Sequence, residues 1–162
     1  PEVECLSFGI MDFVSAHYGA IPGTAMKSPG QFHHPMIIRA KLEIAAACHA
    51  YGKIASHNVC TEIRDLTVVT NDAHEAARTL GYGRMWSIHP DQINPIIKAF
   101  APAAEETEDA TSILLAAKAA DWGPIQYKAK LHDRASYRYY WTVLQRARRS
   151  GQPLPETAEA LM

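Results

Sequence analysis

The sequence predicts an α/β fold built on parallel strands. Three short apolar segments, at 3–8, 53–56 and 84–88, are each bounded by turn residues. A longer segment with helical periodicity follows each of them. Alternation of this kind calls for crossover helices and therefore a parallel sheet.

Val3 to Phe8 is short, apolar and bounded, which suggests a buried strand. The apolar run Leu6 to Met11 then stops on a carboxylate, Asp12. Residues 19–35 carry Gly19, Pro22, Gly23, Pro29, Gly30 and Pro35 and read as a long loop; long ordered loops are usually functional. Pro35 opens a helix. Met36, Ile37, Ala40, Leu42, Ile44 and Ala47 recur at helical spacing up to Tyr51, and Gly52 terminates it. Lys53 to Ser56 is the second strand, with His57-Asn58 at its end. Asp72-x-x-Glu75 reads as a capping box for a helix ending at Gly81. Arg84 to Ile88 is the third strand, closed by His89-Pro90. Asn94-Pro95 begins or interrupts the next helix, whose apolar face is Ile93, Ile96, Ile97 and Phe100. Pro102 opens a helix rich in Glu and Ala that runs to about Ala120. Trp122-Gly123-Pro124 breaks the chain. A basic helix follows over 134–149, with Tyr137, Tyr140, Trp141 and Leu144 on one face. The tail, 151–162, holds two prolines and is expected to be loosely attached.

The totals bound the function classes. A chain of 162 residues, 48% hydrophobic and with formal charge −1, can bury a real core. No apolar run approaches the ~18 residues of a membrane helix, and there is no basic-then-apolar signal segment. The three cysteines are odd in number and form no C-x-x-C, against a metal knuckle or disulfide frame. A reducing, cytoplasmic-type compartment is expected. The chain opens on Pro1 and reaches a strand pattern within three residues, so it reads as a piece of a longer polypeptide. Residues 126–149 hold seven basic residues and one acidic one. Arginine mixed with Tyr and Trp suits nucleic acid. The aromatics fall at helical spacing, however, which means packing, and no nucleic-acid partner is expected.

In parallel α/β folds, ligands gather at the carboxyl ends of the strands. Those ends here are Asp12, His57 with Asn58, and His89 with Pro90. A carboxylate closing a buried strand is costly unless paired, hydrogen-bonded or bound to a cation. Asp12 is placed either to hold a hard ion such as Mg²⁺, which accepts one or two protein carboxylates, or to cap the following turn. The eight histidines do not make a zinc site: His33 and His34 are adjacent, and there is no H-E-x-x-H. His89, fixed before Pro90, reads as a hydrogen-bonded structural residue or as a base.

Four motifs occur in order: F-G-x-x-D-F at 8–13, the small-residue helix 39–51 leading into Gly52-Lys53, L-G-Y-G-R-M-W-S-I-H-P-D-Q-I at 80–93, and A-F-x-P at 99–102. Together they resemble the citrate lyase beta-subunit-like branch of the aldolase superfamily that also holds malyl-CoA lyases. The resemblance covers roughly residues 3–149. It implies the C-terminal portion of a TIM (β/α)₈ barrel, about its last three strands, plus a C-terminal helical extension. The implied division is 1–121 for the partial barrel and 122–162 for the extension or lid. Three strands cannot close a barrel, so the missing N-terminal half, or another chain, is needed to bury its faces.

The resemblance also implies chemistry. Asp12 matches the family's metal-binding aspartate; its companion glutamate and the substrate-gripping arginines belong to earlier strands. Ile88, His89, Pro90 and Gln92 match the segment lining the acyl-CoA site. Lys130 to Asp133, K-L-H-D, resembles the extension motif whose aspartate reaches a neighbouring subunit's site as general acid/base. It departs from the family's more usual hydrophobic-Asp pair preceded by Gly-x-Met. Asp133 also reads as a cap for the last helix, three residues before Ser136. The implied reaction is Mg²⁺-dependent retro-Claisen or retro-aldol cleavage of a 3-hydroxyacyl-CoA thioester, citryl-CoA or malyl-CoA in type. A lid crossing to a neighbour implies a homotrimer or a multiple of it. The alternatives are an aldolase for free 2-oxo acids and a non-catalytic subunit of a lyase complex.

Overall fold

The computed structural model describes residues 2–162. They form two compact units, divided between Phe100 and Ala101.

The first unit is built on a three-stranded parallel sheet: β1 (Cys5–Ser7), β2 (Ile54–His57) and β3 (Arg84–Met85), in that spatial order. Leu6 lies opposite Ala55, and His57 opposite Met85. The strands are shorter than the apolar runs suggest. The ladder ends at Met85: the Trp86 amide makes a last bond to the His57 carbonyl at 3.2 Å, and the Ile88 amide turns to the Gln92 side chain instead of extending β3. Parallel sheets are normally covered on both faces. Here Val3, Leu6, Trp86 and Ile88 are exposed.

α1 (Ile10–Ser15) follows β1, and α2 (Pro35–Ala50) begins with proline at its first position. The buried stripe of α2 is Ile37, Lys41, Ala45 and Cys48, a helical repeat with a lysine in an apolar place. The loop before it is ordered by two 3₁₀ turns, Gly23–Met26 and Gly30–Phe32, and buries Ile21, Ala25 and Gln31. The second turn sits so close to the first that a Cβ at Gly30 would lie 2.5 Å from the Thr24 carbonyl oxygen. Only glycine fits there.

α3 (Leu66–Arg78) corrects the capping-box reading. Its cap is Asp65, whose Oδ1 accepts from the Thr67 amide at 2.9 Å. Asp72 lies inside the helix on its buried stripe with Val69, Ala73 and Ala76. The β-branched run Thr67-Val68-Val69-Thr70 argues locally against helix, and packing against Cys60, Ile96 and Ala99 overrides that preference. A 3₁₀ turn, Pro90–Gln92, leads into α4 (Ile93–Phe100).

In the second unit α5 (Ala104–Ala119) and α6 (Arg134–Arg149) share a core of Ala110, Ile113, Leu114, Ala117, Tyr137, Val143 and Leu144. That sharing places α5 with the extension helix in one compact unit, ahead of the break at Trp122-Gly123-Pro124. Between them lies an antiparallel hairpin that the sequence reading did not contain, β4 (Ile125–Tyr127) and β5 (Lys130–His132). Its turn residues, Lys128 and Ala129, both have left-handed φ, 45° and 59°. Such turns usually announce themselves as Asn-Gly or Asp-Gly. Here Asp109 Oδ1 does the fixing: it accepts from Lys128 Nζ at 2.7 Å and from the Tyr127 hydroxyl at 3.1 Å. The tail is also better held than expected. It forms α7 (Glu156–Glu159), buries Ala158, and packs Leu154, Leu161 and Met162 on the same core.

Candidate active site at the strand ends

The carboxyl ends of the strands lead to Gly9, Asn58 and Trp86, which line one open cavity of about 930 Å³. It is walled by Ser7, Asp12, Val59 and residues of α2, among them Glu43. Asp12 does not close the strand, as the apolar run suggested; β1 ends at Ser7, and Asp12 sits in the first turn of α1, exposed. Its carboxylate forms no hydrogen bond or ion pair among the described residues. A Cβ at Gly9 would lie 2.9 Å from Asp12 Oδ2, so the glycine of F-G-x-x-D leaves room for that oxygen.

No cluster of three His, Cys, Asp or Glu able to hold a metal exists among the described residues. One free carboxylate with open coordination suits Mg²⁺, which keeps waters in most positions. It does not suit a closed zinc site.

The second candidate segment is one compact turn. His89 caps it, its Nδ1 accepting from the Asp91 amide at 3.3 Å, and Pro90 is its first residue. Gln92 is fully buried. Its Nε2 donates to the carbonyls of Cys60 and Glu62, both at 2.9 Å, and its Oε1 accepts from the Ile88 amide at 3.0 Å. Gln92 therefore ties the loop after β2 to the loop after β3, while Ile88 is left exposed. Asp133, in the second unit, caps α6: its Oδ1 accepts from the Ala135 amide at 2.9 Å, and Ser136 completes a capping box.

Sequence reasoning missed the most unusual group. Lys41 is fully buried on α2. Its ammonium donates at 2.8 Å to both Gln31 Oε1 and His57 Nε2, and lies 4.4 Å from the centre of the Phe32 ring. His57, at the end of β2, is buried too, and its Nδ1 is 3.1 Å from the Asn58 carbonyl. With Nε2 accepting from a lysine, Nδ1 carries the proton and donates. Gln31 Oε1 also accepts from Asn58 Nδ2 at 3.0 Å. Gln31 Nε2 donates to Asp72 Oδ2 at 2.9 Å, and the Ser28 hydroxyl donates to Asp72 Oδ1.

Burial pushes Lys41 down to about 7, against the pull of Asp72. Burial first, then the Lys41 charge, push His57 down to about 3. Burial raises Asp72, with Ser28, Lys41 and Gln31 opposing. The one signal available was Lys41 itself, standing four residues after Ile37 and four before Ala45 on an apolar stripe.

No protein-family model matches the chain. An L-malyl-CoA/beta-methylmalyl-CoA lyase of Cereibacter sphaeroides is 29% identical over 158 residues, covering 91% of this chain and 49% of that protein. A citrate lyase subunit beta-like protein of Mycobacterium tuberculosis is 29% identical over 110 residues, covering 68% and 39%. Among solved structures, a citrate lyase from Burkholderia xenovorans is 65% identical, with a TM-score of 0.85 over 100% of this chain and 51% of that one. The protein CitE of Mycobacterium tuberculosis, in complex with magnesium, acetoacetate and coenzyme A, has a TM-score of 0.70 at 24% identity. It covers 87% of this chain and shares its fold. The chain spans about half the length of the relatives it matches.

Proposed function

Since its relatives are the malyl-CoA lyases and citrate lyase beta-like proteins that its motifs resemble, we propose that the chain is part of a Mg²⁺-dependent carbon–carbon lyase acting on a 3-hydroxyacyl-CoA thioester. The observation that carries this is the 65% identity to a citrate lyase over the whole chain. Residues 1–121 are the last three strands of a (β/α)₈ barrel with their helices, and 122–162 the extension. The position of β1 supports this reading: it is an edge strand of the described sheet, where a preceding barrel strand would pair. A second metal carboxylate would come from there.

Asp12 would hold the ion with one oxygen, Gly9 leaving that oxygen free. When bound, Mg²⁺ supplies Lewis acidity toward substrate oxygens. The remaining roles belong to side chains. The hydroxyl proton of the substrate goes to a base, the C–C bond breaks, and its electron pair stays on the thioester's α-carbon as an enolate. Asp133, when protonated, returns a proton to that carbon, and is supplied to a neighbouring copy's site in a trimer or a multiple of it. Ile88, His89 and Pro90 line the acyl-CoA channel, and Gln92 holds their turn in place through three main-chain hydrogen bonds.

The test is an assay of the full-length protein with Mg²⁺ and a panel of citryl-, malyl- and methylmalyl-CoA, alongside free 2-oxo acid aldols. Cleavage of a thioester that disappears in Asp12→Ala supports the reading. Turnover of free oxo acids alone would assign it to CoA-independent aldolases. Thioester binding without turnover would make it a non-catalytic subunit.

A further inference from the structure

We propose that Lys41 is a positioning residue which, through His57 and Gln31, fixes Asn58 on the wall of the cavity that holds Asp12. The proposal rests on the reading of that cavity as an active site.

The geometry converges on one residue. Lys41 has two hydrogen-bond acceptors, each at 2.8 Å, and both go on to hold Asn58. His57 donates through Nδ1 to the Asn58 carbonyl, at 3.1 Å, and so fixes its backbone. Gln31 Oε1 accepts from Asn58 Nδ2, at 3.0 Å, and so fixes its side chain. The other amide hydrogen of Asn58 goes to the Val59 carbonyl at 2.9 Å. Asn58 is thus fixed at three points, in a conformation that leaves its buried Oδ1 without a partner among the described residues. A buried acceptor left unpaired is unfavourable, so the surroundings impose this conformation. Asn58 and Val59 line the same cavity as Gly9 and Asp12.

Lys41 also joins separate pieces of chain. Gln31 belongs to the long loop, His57 to β2, and Asp72, reached through Gln31, to α3. The Tyr82 hydroxyl donates to the Lys41 carbonyl at 3.0 Å from the segment before β3. The charged or titratable groups that act on the ammonium are therefore His57 from β2 and Asp72 from α3, while Tyr82 meets the Lys41 main chain. Phe8 and Phe32 supply ring faces. A buried lysine is rare, and a hydrophobic residue would suit the apolar stripe of α2 but take the ammonium away from two buried acceptors. What a hydrophobic residue cannot do is hold two acceptors at once.

The test uses the full-length protein and two readouts. The first is hydrogen exchange followed by mass spectrometry, which needs no substrate. In Lys41→Met, peptides covering 23–32 and 57–60 should exchange at least tenfold faster, while α6 is unchanged. Gln31→Leu severs one of the two arms and should loosen 57–60 even if Lys41→Met does not fold. Unchanged exchange at 57–60 in the variant that folds overturns the proposal.

The second readout is Mg²⁺-dependent L-malyl-CoA cleavage. Lys41→Met should lower kcat at least tenfold with KM within about threefold. In the wild type, kcat/KM should fall as pH rises through about 7, where the buried amine loses its charge. Lys41→Arg keeps a charge at every accessible pH, and should retain activity and lose that limb. An unaltered limb in Lys41→Arg would overturn the proposal. A wild type that cleaves and binds no thioester would defeat the lyase reading, and the exchange result would still decide the role of Lys41.

Discussion

Replacing Gln92 by leucine keeps the volume of a fully buried side chain and removes three hydrogen bonds at once. The bonds lost are those to the Cys60 and Glu62 carbonyls and from the Ile88 amide, at 2.9, 2.9 and 3.0 Å. Each is worth about 1 kcal/mol net, and the partners left behind are main-chain groups with no other side chain to turn to. The expected destabilisation is therefore about 3 kcal/mol. Urea unfolding of the full-length protein, followed by circular dichroism, should show a lower midpoint with an unchanged slope. The loops after β2 and β3 should loosen together. A loss below about 0.5 kcal/mol would refute the clamp, and would leave Gln92 free to act on a ligand as the family resemblance implies.

Three more outcomes are expected. His57 is neutral in the folded protein down to about pH 3, whereas an unfolded imidazole takes a proton near 6.5. Between those values the unfolded state binds more protons, so stability must fall as pH falls through that window, by up to about 5 kcal/mol in total. Asp72, raised by burial, works in the opposite direction near the acid end; pH-dependent urea midpoints of wild type and His57→Gln measure the difference. Gly9→Ala should displace the Asp12 carboxylate, since the new methyl would sit 2.9 Å from Oδ2. Mg²⁺ activation should weaken while the melting temperature changes little. Asp133→Asn keeps a capping oxygen and removes the acid, so kcat should fall with no loss of stability. Asp133→Ala should also cost about 1 kcal/mol from the lost cap, and equal rates in wild type and Asp133→Asn would leave Asp133 as a cap only.

Much of the architecture was legible in the sequence because it is local. Pro35 and Gly52 bracket α2, and the three strand–helix alternations emerge as a parallel sheet in the expected order. The hairpin at 125–132 was not legible. Its turn is stabilised by Asp109, 18 and 19 positions from the two residues it holds, rather than by turn residues of its own. The start of α3 was hidden by a β-branched run, and Asp72 looked like a cap when it is a buried acceptor for Ser28 and Gln31. Asp12 was singled out as a candidate from its motif, and the space that Gly9 leaves for its carboxylate came from the structure. The Lys41 network was illegible for a different reason. Its members come from α2, the long loop, β2 and α3, and no spacing along the chain brings them together.

Isothermal titration of Mg²⁺ into the full-length protein and into Asp12→Ala bears most directly on the metal reading. One saturable site in the wild type, weakened at least tenfold or lost in the variant, is the predicted result. Equal binding by both proteins would contradict it.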